Sequence, residues 1–316
     1  MYLLTITVSK PNLQIMNIEN LKKRAKIIAQ IRAFFTARDI LEIETPLLSH
    51  STNPDPHLQN FCVDNLYLQT SPEFAMKRLI SAGIGDVYQI CKAFRDGEAG
   101  RFHNPEFTIL EWYRIGFDHH ALMNDVDELL QLILQTASSE KITYQELFLR
   151  HLNLDPHNAT LLELKNCSSQ NNINTTDLEN DRDAWLQLLL THLIEPNIAK
   201  TKPVFVYDFP KSQAMLARIN AENLAERFEV YFQGIELANG FHELNNVEDQ
   251  RARFANNLEA RRKSNLPQIP LDENFLAALP NLPNCSGVAV GIDRLIMLAL
   301  KTNSIQDVMS FSIENS

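Results

Sequence analysis

Residues 94 to 114, FRDGEAGRFHNPEFTILEWYR, hold a cation, a glycine-punctuated loop and a strand in one stretch. Arg95 precedes a loop with Gly97 and Gly100 that carries Arg101, His103 and Asn104. The segment EFTILEWYR then reads as a strand, whose side chains alternate between faces. Phe107, Ile109, Glu111 and Tyr113 therefore share one face; Thr108, Leu110 and Trp112 share the other. An aromatic ring, a carboxylate and a phenol beside a cationic loop suit an aromatic base, phosphates and an ammonium group. The alternative is a hairpin with a charged turn, and this stretch alone leaves both open.

A second stretch, FEVYFQGIELAN at 228 to 239, carries two carboxylates. If Gln233-Gly234 is a two-residue turn, Tyr231 pairs with Glu236. Glu229 then lies diagonally across from Glu236 on the same face, about 7–8 Å away. Val230, Phe232, Ile235 and Leu237 form the opposite, core-facing set. Such a pair could hold divalent cations against a polyphosphate; the alternative is a solvent face with two glutamates. Glu243 follows in NGFHEL, and His242-Glu243 lacks the second histidine of a zinc-protease HExxH. Ser71, Pro72 and Glu73 read as a helix start: N-cap, first helical position and first-turn acid. His119 and His120 have no metal-ligand spacing and read as surface or cap residues.

The elements that must position these residues follow from periodicity. Residues 21 to 38 form an amphipathic helix with Ile27, Ile28, Ile31, Phe34 and Phe35 on its apolar face. An extended segment ends at Pro46, which disfavours helix at Thr45. Residues 61 to 69 and 87 to 95 read as strands, and 119 to 200 as mostly helical. The polar run 168 to 177 reads as a surface loop. GVAVGIDRLIMLALK near the end is a small-residue strand running into an apolar helix. Gly287 and Gly291 in it permit close approach, and Arg294 opens the helix.

The chain has 316 residues, 45% hydrophobic and 22% charged, as a globular protein of one large domain or two ordinary ones would. A net charge of -10 argues against broad nucleic-acid binding, which needs a basic footprint. Four scattered cysteines make no CxxC pair, so the reading is a reducing cytoplasm without disulfides or structural zinc. No apolar run approaches the roughly 20 residues of a membrane span, and MYLLTITVSK lacks signal-peptide features.

The 94 to 114 stretch resembles motif 2 of class II aminoacyl-tRNA synthetases, in the lysyl branch. GVAVGIDRL at 287 to 295 resembles motif 3, and LEIETPLL at 41 to 48, with Pro46, resembles motif 1. TSPEFAMKRL and GIELANGFHEL also resemble that branch. The matches run in the right order over most of residues 20 to 312, and are most similar to truncated lysyl-tRNA synthetase paralogues that lysylate elongation factor P. The resemblance implies an α+β fold: a class II catalytic core, an antiparallel sheet flanked by helices, without an anticodon-binding OB-fold. It implies a short extension at 1–19 and a catalytic domain at 20–316, with a mostly helical insertion at about 119–200. A homodimer, built through the first helix and strand, is implied as well.

The implied reaction uses ATP and Mg2+ to activate lysine or β-lysine as an adenylate, then transfers it to a lysine of elongation factor P. Productive tRNA binding is not expected. The alternatives are aminoacylation of tRNA or a tRNA-like acceptor, and an inactive regulatory paralogue. By resemblance, Arg95 is catalytic at the α-phosphate, and Asp96, Gly97, Glu98, His103, Asn104, Leu237 and Gly291 line the ATP site. Phe107 and Arg294 sandwich adenine, and Glu229 and Glu236 hold magnesium. Ser71, Pro72, Glu73, Glu111, Tyr113, Glu243 and Ala289 bind the amino acid. Three positions depart from the branch. Gly97 stands where a glutamate touches adenine, so either Glu98 takes over that role or adenine goes without it. His242 replaces a serine, and Ala289 replaces a glycine and would narrow the amino-acid pocket toward β-lysine.

Overall fold

The computed structural model describes residues 17–173, 178 and 180–316; positions 1–16 of the expected extension lie outside the described residues. The first half comprises α1 (Ile18–Thr36), β1 (Leu41–Glu42), β2 (Leu48–Ser49), β3 (Cys62–Val63), β4 (Leu66–Leu68), α2 (Glu73–Ser81), β5 (Val87–Phe94), β6 (Glu106–Ile115) and α3 (His119–Leu134). Then come β7 (Glu140–Thr143), α4 (Tyr144–Leu152), α5 (Leu161–Gln170), α6 (Arg182–Leu189) and β8 (Val204–Pro210). The chain finishes with β9 (Leu224–Phe232), β10 (Ile235–His242), α7 (Val247–Lys263), α8 (Glu273–Ala278), β11 (Cys285–Gly291) and α9 (Ile292–Ala299).

Eight strands form one sheet in the order β1-β5-β6-β11-β10-β9-β8-β7. Only its outer pairs, β1 with β5 and β7 with β8, run parallel. One face is covered by α1, α3 and α9. There Ile31, Phe35, Trp112, Leu129, Phe228 and Leu295 are fully buried, and Phe35 stacks on Tyr88 at 4.2 Å. Each such side chain contributes about 1.5–3 kcal/mol on leaving water. Helix α1 starts where Asn17 Oδ1 accepts from Asn20 N at 3.1 Å, earlier than the apolar spacing predicts. The region from β7 to residue 200 builds a second core around β7 and β8, in which Tyr144, Phe148, Leu186 and Val206 are buried, while α3 belongs to the first. Strand β7 inside it is not foreshadowed by the helical periodicity. No helix among the described residues is long and apolar enough to cross a membrane.

Several boundaries differ from the periodicity reading. Residues 61–69 are two short strands, not one, because Asp64 turns the chain at φ 54°. The expected loop at 168–177 begins as helix, since α5 runs to Gln170; residues 174–177 lie outside the described set. Helix α2 begins at Glu73 with Pro72 as cap, so Ser71 lies one position further out than expected. Ser71 Oγ still accepts from Glu73 N at 3.1 Å.

Candidate active site

The other face of the sheet, part of which α2 and α8 cover around Val87 and Tyr113, is ordered in rows. Cross-strand pairing sets Gln89, Glu111, Ala289, Asn239 and Glu229 side by side across β5, β6, β11, β10 and β9. Paired residues point the same way, so the alternation expected for 106–115 holds. The next row sets Val87, Tyr113, Gly287, Phe241 and Arg227 together. A Cβ on Gly287 would lie 2.2 Å from Tyr113 Cε1 and 2.6 Å from Glu243 Oε1, so glycine is what allows the phenol and the carboxylate to meet there.

At one end of these rows three carboxylates gather. Glu111 is 2% exposed, and its oxygens accept from Ser71 Oγ at 2.6 Å and Tyr113 OH at 2.7 Å. Pro72 is buried beside them. Glu73, on the first turn of α2, receives Lys77 Nζ at 2.6 Å. The same ammonium pairs with Glu243, which is 0% exposed and whose Oε1 accepts no hydrogen bond. Burial and then the charge of Glu73 push the Glu111 carboxyl up to about 7, against hydrogen bonds from Ser71 and Tyr113. Burial pushes Glu243 up to about 8, with Lys77 opposing and Glu73 and Glu111 adding. Lys77 is fully buried; burial alone would lower its pKa, but Glu243 and Glu73 outweigh that and hold it above its ordinary range. Lys77 is the residue that sequence reading missed. Its signal is the Glu73-to-Lys77 spacing of one helical turn, but the pairing to Glu243 has no local signature.

The other end is cationic. Arg95 lies 5.1 Å over the Phe107 ring, and its Nε is buried without a hydrogen-bond partner. Its Nη1 is 3.7 Å from Glu98 Oε1. Asp96 N donates to Gln59 O at 3.0 Å, and Gly97 takes φ +77°, a left-handed turn that disfavours a glutamate there. Arg294 is clamped: Nε to Phe102 O at 3.1 Å, Nη1 to Glu236 O at 2.8 Å, and Nη2 against His103 Nε2 at 2.6 Å. Burial, then Arg294, lower the His103 pKa. Asn104 is buried and fully used, donating to Glu106 O at 2.6 Å and accepting from Ile313 N at 2.9 Å. It therefore anchors the loop to the C-terminal segment. Gly291 caps α9 and would tolerate a Cβ, whose nearest neighbour is Arg294 Cδ at 3.7 Å; no close approach demands glycine.

The hairpin turn sits at Gln233-Gly234, with φ 51° and 73°, and Tyr231 pairs with Glu236 as the spacing predicts. A bulge then inserts Leu237, so Asn239 rather than Ala238 opposes Glu229. Leu237 is buried in the core, which leaves only its main chain for a ligand. Glu229 is held by Arg227 and by the Tyr231 hydroxyl, and Arg227 Nε also donates to Asn239 Oδ1 at 3.2 Å. Burial and Glu229 push the Glu236 carboxyl up to about 7. Two crowded carboxylates of this kind are a hard-oxygen donor set that fits magnesium.

The site therefore has a cluster of carboxylates at one end, a chemistry suited to ammonium groups, and arginines beside an aromatic ring at the other, a chemistry suited to a nucleotide. A family model for tRNA synthetases class II (D, K and N) matches residues 11–315. The chain is similar to the elongation factor P–(R)-beta-lysine ligase of Salmonella typhi, at 50% identity over 95% of this chain and 97% of that one. The same figures hold for the ligase of that name from Salmonella dublin.

Proposed function

The chain belongs to the class II tRNA synthetases of the D, K and N group, and we propose that it activates (R)-β-lysine with ATP and transfers it to a lysine side chain of elongation factor P. The observation that carries this reading is charge balance. Glu73, Glu111 and Glu243 crowd together, and Lys77 is the internal cation that pairs with Glu73 and Glu243. With all three ionised, the pocket is two positive charges short. A diamino acid brings two ammonium groups that draw the carboxyls into their charged form, whereas a monoamino acid leaves one of them protonated and without an ionic partner.

Adenylation needs no enzyme nucleophile. The substrate carboxylate attacks the α-phosphorus and pyrophosphate leaves, so positioning and charge neutralisation carry the rate. Arg95, its Nε without a protein partner, neutralises charge at the α-phosphate. Phe107 and Arg294 hold adenine between ring and guanidinium. His103, and the main chain at Asp96, Gly97, Glu98 and Leu237, border the nucleotide, while Asn104 anchors the loop. Glu229 and Glu236 would hold magnesium, which neutralises polyphosphate charge when bound. In the second step an acceptor lysine amine attacks the activated carbonyl, AMP leaves and the amine loses a proton.

Ala289 stands directly across from Glu111, so its methyl shortens the pocket where the α-amine of lysine would sit and favours the β-isomer. A cytoplasmic homodimer completes the reading. The dimer is supported by Leu41, Leu47 and Leu48, which stand 52%, 38% and 42% exposed along the motif 1 segment.

The test is amino-acid-dependent ATP–pyrophosphate exchange with (R)-β-lysine, (S)-β-lysine, α-lysine and 6-aminohexanoate, followed by intact mass of elongation factor P and by acylation of total tRNA. Exchange strongest with (R)-β-lysine and a matching mass gain on elongation factor P are expected. Label in tRNA alone would replace this reading with aminoacylation, and no exchange with any amino acid would leave a non-catalytic paralogue.

A further inference from the structure

On the opposite face of the sheet from Glu243, three residues from distant parts of the chain converge. One ring nitrogen of His119, one of His242 and a carboxylate oxygen of Glu226 all lie within 4.8 Å of one another. His119 opens α3, Glu226 is on β9 and His242 ends β10. We propose that these three side chains form a transition-metal site, best suited to Zn2+, separate from the magnesium carboxylates Glu229 and Glu236.

His119 is 4% exposed, and neither ring nitrogen has a hydrogen-bond partner. Asp208 Oδ1 lies 3.4 Å from its Nε2. A buried imidazole that makes no hydrogen bond needs a reason, and a metal ion supplies one. It is also not the solvent-facing cap residue that its sequence position suggests. The cap is Asp118, whose Oδ1 accepts from Ala121 N at 2.7 Å.

His242 gives the second argument. Its Nε2 contacts Asn284 Oδ1 at 2.8 Å and its Nδ1 contacts Glu226 Oε2 at 2.5 Å. With Nε2–H donating to the amide oxygen, the Nδ1 lone pair faces a carboxylate oxygen, so both atoms can turn onto one ion once they separate to ligand spacing. That is the arrangement of a metal-ligating histidine, whose other nitrogen is fixed by a carbonyl-type acceptor. Two imidazoles and a carboxylate are a zinc donor set. Tetrahedral zinc with bonds of about 2.0–2.1 Å needs ligand atoms roughly 3.4 Å apart, so side-chain rotation must open the His242–Glu226 pair from 2.5 Å and draw His119 in from within 4.8 Å. Asp208, on the β8 bulge with φ 59°, stands in reach of the fourth position. The metal would pin α3 to the end of β10, one residue before Glu243.

The experiment uses the full chain, stripped with EDTA, dialysed and kept in excess Mg2+ so that the carboxylate pair is filled. Zn2+ is titrated against a chromophoric chelator, and Co2+ is added separately as a spectroscopic probe. One Zn2+ per chain, a raised Tm and a visible Co2+ ligand-field band are expected. His119→Ala and Glu226→Gln should each weaken zinc binding by at least about a hundredfold, while His120→Ala, at an exposed ring 4.1 Å from His119, should not. The proposal is overturned if the wild-type chain binds no zinc, or if both variants bind it as tightly as wild type. Should both variants misfold, the Co2+ band of the wild-type chain decides: its absence removes nitrogen ligation and with it the site.

Discussion

Lys77 Nζ lies 2.6 Å from Glu73 Oε1, one helical turn away, and through that contact the chain's own lysine takes a carboxylate assigned by resemblance to the substrate. The same ammonium pairs with Glu243, so the amino-acid pocket is a shared charge network. Lys77→Met should leave Glu73 and Glu243 buried without their cation and cost about 3–5 kcal/mol of stability. Thermal melts with and without (R)-β-lysine check this, and the diamino acid is expected to restore part of the drop in Tm. A Tm equal to wild type would mean that the network carries little energy.

Arg95→Ala should lower ATP–pyrophosphate exchange by about 10²–10³-fold while the fold survives. The side chain is 30% exposed and its Nε has no protein hydrogen bond, so truncation opens no packed core. Near-normal exchange by a folded variant would remove Arg95 from the chemistry.

Glu243→Gln should raise the KM for the amino acid by about tenfold or more and leave the KM for ATP nearly unchanged. An amide keeps the carboxylate's shape but gives up a charged hydrogen bond worth about 1.5–3 kcal/mol. Removing the pairing to Lys77 should also appear as a lower Tm. Equal weakening for both substrates would give Glu243 a structural role instead.

Amino-acid binding should strengthen with pH. The Glu111 carboxyl sits at about 7, against an ordinary 4.5, because burial and Glu73 disfavour its charge. Between those values the folded protein holds a proton that the unfolded chain has released. Glu111 therefore contributes less stability to the free protein as pH rises through that window. An ammonium ligand prefers the carboxylate, so the KM for (R)-β-lysine should fall about tenfold from roughly pH 6 to 8. Steady-state exchange over that range measures it, and Glu111→Gln should make the profile shallower, leaving the part that Glu243, pushed up to about 8, contributes.

Ala289→Gly should improve the use of α-lysine relative to (R)-β-lysine by about 10-fold or more, the range that one methyl group typically discriminates. The motivation is the register that sets Ala289 opposite Glu111. The ratio of kcat/KM for the two isomers is the readout; an unchanged ratio would place isomer selection elsewhere.

The sequence by itself determined the parts that depend on local geometry. Backbone alternation put Phe107, Ile109, Glu111 and Tyr113 on one face of β6. The Gln233-Gly234 pair closed the β9–β10 hairpin with Tyr231 opposite Glu236. These follow from a period of two and from which residues accept positive φ, both short-range properties. The tertiary structure decided what needs distant segments to meet. It inserted Leu237 as a bulge, which gave Glu229 the neighbour Asn239 in place of Ala238. It tied Asn104 to the amide of Ile313, and it brought His119 from the start of α3 to His242 and Glu226. It also paired Lys77 with Glu243. No local pattern encodes which buried charge neutralises which, because that choice is made by packing between strands and helices far apart in the chain, where an unpaired ion costs more than any intrinsic preference of the segment that carries it.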